Sequence, residues 1–521
     1  MISTLLALLL TGAPPSPKPR LVVVITVDQL RPDYLTRWRP QLTGGLRRLI
    51  TQGAVFTEAY QEHAITETAP GHATVLSGRW PAHTGIVSND LGVLDRSAPL
   101  VDARGVGASP SRFTGTALFD WLKAREPGAR ALSVSRKDRG AILPIGRAKE
   151  HVYWYSDSKF TTSTYYRDSL PSWVLAFNAL GVQQKYAGRS WTLLRPDSAY
   201  AELDDQPWED PQGSFGEKTF PHAWPDDSAR SAAAFPARPE MDSLTLALAL
   251  SGADALQLGR RGATDLLAVS LSTLDAVGHT FGPSSREVHD MVLRLDRYLG
   301  WFLDRLYRRY GRDRVVIALT ADHGVSPYPA EARAAGRAEA RAVSVDTLVA
   351  AVNAEMGSHA TVANGTSEFL FDSGILFLQN APALRAAGVD VDSVVAAVGA
   401  RLRAVPGVAR ADEPAALASA DTAADAVARR WLHQLPDDLP VALVVTLDDD
   451  AVWGNESYAM HGRPADVDAR VPLILVGPGV KRGAYGGRVA TVDLAPTLAR
   501  LLGLTPAEPL DGRILREALA N

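Results

Sequence analysis

Three stretches of this chain read as strands buried on both faces, and each runs into a carboxylate. Residues 21–27, Leu-Val-Val-Val-Ile-Thr-Val, lead directly to Asp28. Residues 266–271, Leu-Leu-Ala-Val-Ser-Leu, are followed by Asp275, and residues 315–320, Val-Val-Ile-Ala-Leu-Thr, by Asp322. Nearly unbroken β-branched and apolar runs suit parallel strands covered by helices on both sides. Further strands are expected over 54–56, 131–135 and 471–476, and helices over 44–53, 116–124, 242–253, 285–310 and 494–502. The alternation predicts an α/β fold, a largely parallel central sheet flanked by helices. In such sheets ligands bind beyond the carboxyl ends of the strands, so Asp28, Asp275 and Asp322 are expected to crowd at one edge. Like charges brought together need something to neutralise them.

Two regions interrupt the alternation. Over about 151–239 Trp, Tyr, Pro and Ser accumulate and periodicity is poor, which predicts an insertion of loops and short elements, read equally as an aromatic cap over a cleft or as irregular packing on the outside of the core. Over about 326–455 Ala-rich helices mix with strands such as 374–378, which predicts a second, α/β insertion with a small sheet of its own. Residues 21–521 therefore read as one domain with two insertions, large for its class but compatible with a single core. Residues 1–20 read as a leader. The short apolar run 5–10, small residues at 11–13 and a Pro-rich stretch resemble a secretory signal. No segment is apolar for long enough to span a bilayer. The expectation is a soluble exported protein, periplasmic or secreted, without stable membrane insertion, and a monomer.

Composition narrows the chemistry. The 521 residues include no cysteine, which removes disulfides, thiolate metal sites and cysteine nucleophiles. A net charge of −4 argues against nucleic acid as a partner. Any metal must be held by Asp and His. His279 lies four positions after Asp275, His323 directly follows Asp322, and His461 adds an imidazole late in the chain. Carboxylate and imidazole without thiolate suit Zn²⁺, with Mn²⁺ and Fe as alternatives. His63, His83, His151 and His222 are read as hydrogen-bonded structural residues.

Between the first and second of these carboxylates lies Thr66-Glu67-Thr68-Ala69-Pro70-Gly71-His72-Ala73-Thr74. Thr68 reads as a helix N-cap with Pro70 in the first turn. A hydroxyl there faces unpaired N–H groups and the positive end of the helix dipole, where a phosphate can be received. Alone the stretch is an ordinary capped helix. It gains meaning from the Asp and His residues around it, and from Asn89 and the Lys137-Asp138-Arg139 run after the strand at 131–135.

Taken together these segments resemble the alkaline phosphatase superfamily, and most nearly the bacterial phosphate-irrepressible alkaline phosphatases with a threonine nucleophile. The resembling stretches are V-D-Q-L-R-P-D-Y-L from Val27, G-A-V-F-T-E-A-Y from Gly53 and T-A-P-G-H-A-T from Thr68. S-R-K-D-R-G from Ser135, the region from Tyr165 to Trp173, Asp275 to His279, Ala321 to Gly324 and V-D-L-A-P-T from Val492 complete the series. Several are shared with nucleotide pyrophosphatase/phosphodiesterases. The resemblance implies an alkaline-phosphatase-like fold and two Zn²⁺ ions. Asp275, His279 and His461 would hold one, and Asp28, Asp322 and His323 the other, with Thr68 joining it. Two Zn²⁺ against three carboxylates leave a small positive surplus, suited to an anionic substrate and an alkoxide at Thr68.

The implied reaction is hydrolysis of small-molecule phosphate monoesters through a phosphothreonine at Thr68. Asn89, Lys137 and Arg139 would hold the non-bridging oxygens. A phosphodiesterase or nucleotide pyrophosphatase of the same superfamily is the alternative. A sulfatase is disfavoured because its formylglycine derives from Cys or Ser and position 68 is Thr. A catalytically inactive binding protein on this fold is the reading from a different class.

Overall fold

The computed structural model describes residues 18–209, 215–357, 368–454, 456 and 458–520. The leader expected over 1–20 lies, as far as residue 17, outside the described residues. The central sheet has ten strands, numbered here in chain order. They are β1 (Leu21–Val27), β2 (Ala54–Tyr60), β3 (Ala131–Ser135), β4 (His151–Ser156), β5 (Lys159–Thr161), β6 (Asp265–Leu271), β7 (Val315–Thr320), β8 (Arg470–Val476), β9 (Gly483–Tyr485) and β10 (Val489–Ala490). Their order across the sheet is β9-β2-β8-β7-β1-β6-β3-β4-β5, with β10 also pairing β2.

The middle of the sheet, β7-β1-β6-β3-β4, is parallel throughout. The sheet as a whole is mixed: β8 runs antiparallel to both β7 and β2, and β5 antiparallel to β4. Every residue of β1, β6 and β7 is buried. Successive side chains enter opposite layers, as the pleat requires. Leu21, Val23, Ile25 and Val27 join one core and Val22 and Val24 the other. The first core is closed by the helices Gly45–Gln52, Glu240–Ala255 and Arg286–Tyr310, the second by Thr68–Ser77, Leu118–Arg125 and Leu494–Leu502. In register Leu21 sits between Asp265 and Val315, and Thr26 between Ser270 and Thr320. The carboxyl ends of β1, β6 and β7 are therefore flush.

The two interruptions behave differently from each other. Residues 151–161, grouped by composition with the cap, instead extend the sheet as β4 and β5. Most aromatic side chains of the remainder are built into the outer helical layer and are not laid over the strand ends. Trp191, Tyr200, Phe215, Trp224 and Phe235 share one core with Leu293 and Leu299 of helix Arg286–Tyr310. Asp290 of that helix accepts from Trp191 Nε1 at 2.7 Å, Tyr200 OH at 2.7 Å and Leu194 N at 2.6 Å. This region is a buttress, and a buried carboxylate with three donors pins it. Trp208 reaches Val325, Tyr328 and Ala459, close to the strand ends. Residues 326–455 carry a four-stranded antiparallel sheet, in the order Phe369–Asp372, Ile375–Leu378, Val441–Leu447, Val408–Asp412.

Glu287, in the first turn of helix Arg286–Tyr310, is fully buried with Oε1 2.9 Å from His222 Nε2. Burial, reinforced by the charge of Glu209, pushes its carboxyl from the ordinary 4.5 up to about 9. Burial lowers His222 to about 3, so both partners are neutral near pH 7. Below pH 4.5 the folded and unfolded chains are both protonated at Glu287. As pH rises towards 9 the unfolded chain releases the proton first, so stability falls across this window. Glu287→Gln is expected to flatten this alkaline fall, measured as Tm between about pH 5 and pH 9. An unchanged slope would show that the group titrates normally.

Candidate active site and metal centre

Thr68 opens the helix Thr68–Ser77, one residue further inside than the sequence suggested: Glu67 (φ −116°, ψ 166°) is the cap. The shift has a physical reason. Asn89 Oδ1 accepts from Ala69 N at 3.0 Å, doing from outside what a capping hydroxyl would do. The Thr68 hydroxyl is thereby not spent on its own helix. It accepts instead from Lys137 Nζ at 3.1 Å. The helix lies so close to the strand ends that a Cβ on Gly71 would stand 2.3 Å from the Asp322 carbonyl oxygen and 2.7 Å from Asp322 Cβ.

The three carboxylates do converge. Asp28 leaves β1 fully buried, with Oδ1 3.3 Å from His323 Nε2 and Oδ2 2.6 Å from Lys137 Nζ. Asp275, in the first turn of helix Thr273–Phe281, places Oδ2 2.8 Å from the same ammonium. Its Oδ1 lies 3.1 Å from His279 Nε2 and 3.7 Å from His461 Nε2. Asp322 Oδ1 accepts from Gln29 N and His323 N, and Oδ2 lies 3.2 Å from His72 Nδ1 and 3.7 Å from His323 Nε2.

Among the described residues two groups are tight enough to hold a metal ion: Asp275, His279 and His461, and Asp28, Asp275 and His323. The first is the set the resemblance implies. In the second Asp275 stands between the groups, and Asp322 lies just behind, held by backbone amides.

The histidines share one orientation. Nδ1 of His279 bonds the Ala459 carbonyl at 2.6 Å, that of His323 the Gly324 carbonyl at 2.9 Å, and that of His461 the Thr66 carbonyl at 2.8 Å. Each Nδ1–H is thus donated to backbone, and each Nε2 turns towards the carboxylates. This is the arrangement that orients imidazole for metal ligation. Both Asp28 oxygens, Asp322 Oδ2 and His323 Nε2 are buried without a well-angled hydrogen bond. The Lys137 ammonium sits where the carboxylates meet, so the centre already takes a cation. Carboxylate oxygens, Nε2 atoms and orphaned buried acceptors fit divalent metal.

The field is strongly anionic. Burial and Asp275 push Asp28 upward, but Lys137 and His323 more than offset them and hold its carboxyl below the usual range. Burial likewise opposes ionisation of Asp275, and Lys137 and His279 hold it well below that range. Burial acts against the His323 cation, yet Asp322 and Asp28 raise it to about 9. Burial and the neighbouring His323 lower His461 to about 4.

Asn89 and Arg139 lie beside the Thr68–Ser77 helix. Asn89 is tied to it by its side-chain oxygen and by its backbone N–H, which donates to Glu67 Oε2 at 2.7 Å. Arg139 has its Nε buried without a hydrogen bond, and its nearest carboxylate contact is Asp138 Oδ1 at 3.5 Å. Lys137, expected to face substrate oxygens, reaches Thr68, Asp28 and Asp275 together.

Three site residues carried no sequence-based role. Gln29 bridges the groups, donating Nε2 to Asp275 Oδ1 at 2.9 Å from a buried backbone at φ 66°. Gly278 makes room for it, since a Cβ there would stand 1.8 Å from Gln29 Oε1. His72 lies between Thr68 O and Asp322, and Glu67 joins the Thr68–Ser77 helix to Asn89. A polar residue directly after a strand-end carboxylate, as in Asp28-Gln29, was the available signal. His63, His83, His151 and His222 bond Gln61, Asp511, Tyr153 and Glu287, outside the metal-ligand groups.

Residues 22–364 match the family model described as type I phosphodiesterase / nucleotide pyrophosphatase. The chain belongs to this family. It lies within the alkaline phosphatase superfamily, as its motifs indicated. Among relatives of this family member, alkaline phosphatase PhoK of Sphingomonas sp is 32% identical, over 95% of this chain and 91% of its own. Alkaline phosphatase PhoV of Synechococcus elongatus is 31% identical, over 96% and 93%. The crystal structure of wild-type alkaline phosphatase PafA superposes with a TM-score of 0.88 at 27% identity, covering 97% of this chain and 99% of that one. Murine ectonucleotide pyrophosphatase / phosphodiesterase 5 shares the fold at 15% identity and a TM-score of 0.54.

The close passage at Gly71 generates a test. Gly71→Ala must push the Thr68–Ser77 helix away from Asp322, at a cost of about 1–3 kcal/mol for overpacking. A lower Tm together with weaker metal retention on dialysis is expected. Wild-type values for both would contradict the contact.

Proposed function

We infer that this family member is an alkaline phosphatase, a phosphate monoester hydrolase, and propose that it works through a phosphothreonine at Thr68 with two Zn²⁺ ions. The observation that carries the reading is the Thr68 hydroxyl, uncommitted to its helix, 3.1 Å from an ammonium that also contacts Asp28 and Asp275. Asp275, His279 and His461 would hold one metal; Asp28, Asp322 and His323 the other, with Thr68 beside it. When bound, the ions supply Lewis acidity for the attacking and leaving oxygens.

Thr68 Oγ1 attacks phosphorus in line, forming the Oγ1–P bond as the ester P–O bond breaks. The leaving alkoxide takes up the proton given up by Thr68 Oγ1 and departs as the alcohol. Water then attacks the phosphothreonine, the Oγ1–P bond breaks, and inorganic phosphate departs with Thr68 restored. Lys137 Nζ favours the Thr68 alkoxide by donating to it. Asn89 Nδ2 and Arg139, beside the nucleophile, receive the non-bridging oxygens; Arg can do so with two parallel N–H groups. Among the described residues no helix is long and apolar enough to cross a membrane. Export to the periplasm or medium and a monomeric state belong to the same proposal. Cell fractionation and light scattering test them.

Chelation is expected to abolish turnover and Zn²⁺ to restore it, and acid-quenched enzyme to carry phosphate on Thr68 by mass spectrometry. Full activity in metal-free protein, or label on another residue, would refute the mechanism.

The choice between monoester and diester rests on Lys137 and Arg139, because a monoester dianion presents one more charged oxygen than a diester. Charge-assisted hydrogen bonds contribute about 1.5–3 kcal/mol each. Removing both side chains by Lys137→Ala/Arg139→Ala should lower kcat/KM for an aryl phosphate monoester by about two to four decades, and for its methyl ester much less. Wild-type preference for the methyl diester, or equal losses on both substrates, would favour the phosphodiesterase.

A further inference from the structure

Glu67 is an unexpected residue to find next to a phosphate-receiving hydroxyl. It occupies the cap position, yet its side chain makes no capping hydrogen bond to its own helix. Its carboxylate is engaged elsewhere. Oε2 accepts from Asn89 N at 2.7 Å, and Oε1 accepts from Ser373 Oγ at 2.6 Å. A Cβ on Gly462 would lie 3.7 Å from Glu67 Cγ and Oε1, so the backbone just after His461 passes alongside. The acid therefore sits where the nucleophile helix, the Asn89 loop, the His461 loop and the inserted 326–455 region meet.

Two of these contacts close a ring. Glu67 Oε2 takes the Asn89 backbone N–H, and Asn89 Oδ1 takes the N–H of Ala69, two residues along from Glu67. With both its backbone N–H and its side-chain oxygen committed to the nucleophile helix, Asn89 has a fixed side-chain rotamer. Its Nδ2 amide is left as the free donor. The other end of the ring is anchored by a hairpin. Asp372 pairs with Ile375 across a two-residue turn in which Ser373 has φ 50° and Gly374 φ 92°. Positive φ at both central residues marks the type I′ turn that matches strand twist and is geometrically stiff. Ser373 Oγ also contacts Asp372 Oδ1 at 2.8 Å, while Asp372 Oδ2 accepts from Ser88 Oγ at 2.5 Å, next to Asn89.

We propose that Glu67 is a positioning residue that sets Asn89 for the phosphoryl group, and that Ser373 fixes Glu67 from the inserted region. The insertion is then part of the phosphate pocket and not only an appendage to it. The inference rests on the Asn89 role stated under the proposed function. It assigns the 373–374 turn the task of holding a donor it does not itself contain. A longer or differently shaped turn would loosen Asn89 without altering any group that touches substrate.

A double-mutant cycle tests this, with kcat/KM read on an aryl phosphate monoester and inorganic phosphate as competitive inhibitor. Asn89→Ala is expected to lower kcat/KM about ten- to a hundred-fold, the scale of one lost phosphate contact. Glu67→Ala should do the same, weaken phosphate inhibition in parallel, and add almost nothing when combined with Asn89→Ala. Glu67→Gln, which still offers an oxygen to Asn89 N, should recover most of the loss. Ser373→Ala should lower activity less, and only while Asn89 is present. Additive losses for Glu67→Ala and Asn89→Ala, or unchanged phosphate inhibition in Glu67→Ala, would overturn the inference and leave the proposed reaction standing. Full activity in Asn89→Ala would instead remove the Asn89 role on which it rests. If Glu67→Ala fails to fold, the cycle between Ser373→Ala and Asn89→Ala decides the question by the same criterion.

Discussion

Everything in this structure is arranged around carboxylates that repel one another at a shared sheet edge. Two like charges about 4 Å apart at an effective dielectric near 20 oppose each other by roughly 4 kcal/mol. Asp28 and Asp275 are drawn together because β1 and β6 end flush, and Asp322 follows from β7 on the other side. The chain answers with cationic and donor groups aimed inward. Lys137 spans two carboxylates, Gln29 bridges the groups, and the backbone N–H groups of Gln29 and His323 face Asp322. The same concentration of negative charge fits the site to hold divalent cations.

The parts legible in the sequence were those dictated by burial along a single strand. The runs at 21–27, 266–271 and 315–320 are strands within a residue of their expected limits, and the helix over 494–502 matches throughout. Asp28, Asp275, His279, His323 and His461 fall into two metal-competent groups, and Asp322 lies beside them without joining either. What periodicity does not encode is which strand lies beside which. The antiparallel direction of β8 and the addition of 151–161 to the edge are decided by partners distant in sequence. The aromatic-rich stretch beyond 161 left two readings open, a cap and outer packing, because Trp and Tyr suit a cleft and a helical layer equally well. Only contacts such as Trp191 with Asp290 separate the two.

The cap position of the Thr68–Ser77 helix was missed by one residue for a more instructive reason. A Thr before an apolar helix normally spends its hydroxyl on the helix. Here Asn89, a residue outside it, supplies that bond, and only the folded chain reveals the substitution. Glu67, Gln29 and His72 escaped notice in the same way. Their side chains act between segments, and no local pattern announces such a role.

The direction of β8 has a consequence for how the molecule is completed. Asp28, Asp275 and Asp322 follow their strands, because those strands run towards the site. β8 runs away from it, so the imidazole it brings, His461, must come before the strand. β8 also lies between β7 and β2, so these two cannot be bridged until the last part of the chain arrives. Until then the β7 edge nearest the centre stands open, and an open edge invites pairing with another chain. Contacts this distant in sequence are slow to form, since the intervening loop must close first. The centre is thus assembled late: a chain ending before residue 461 can bring the carboxylates together but has no third ligand for the Asp275–His279 group.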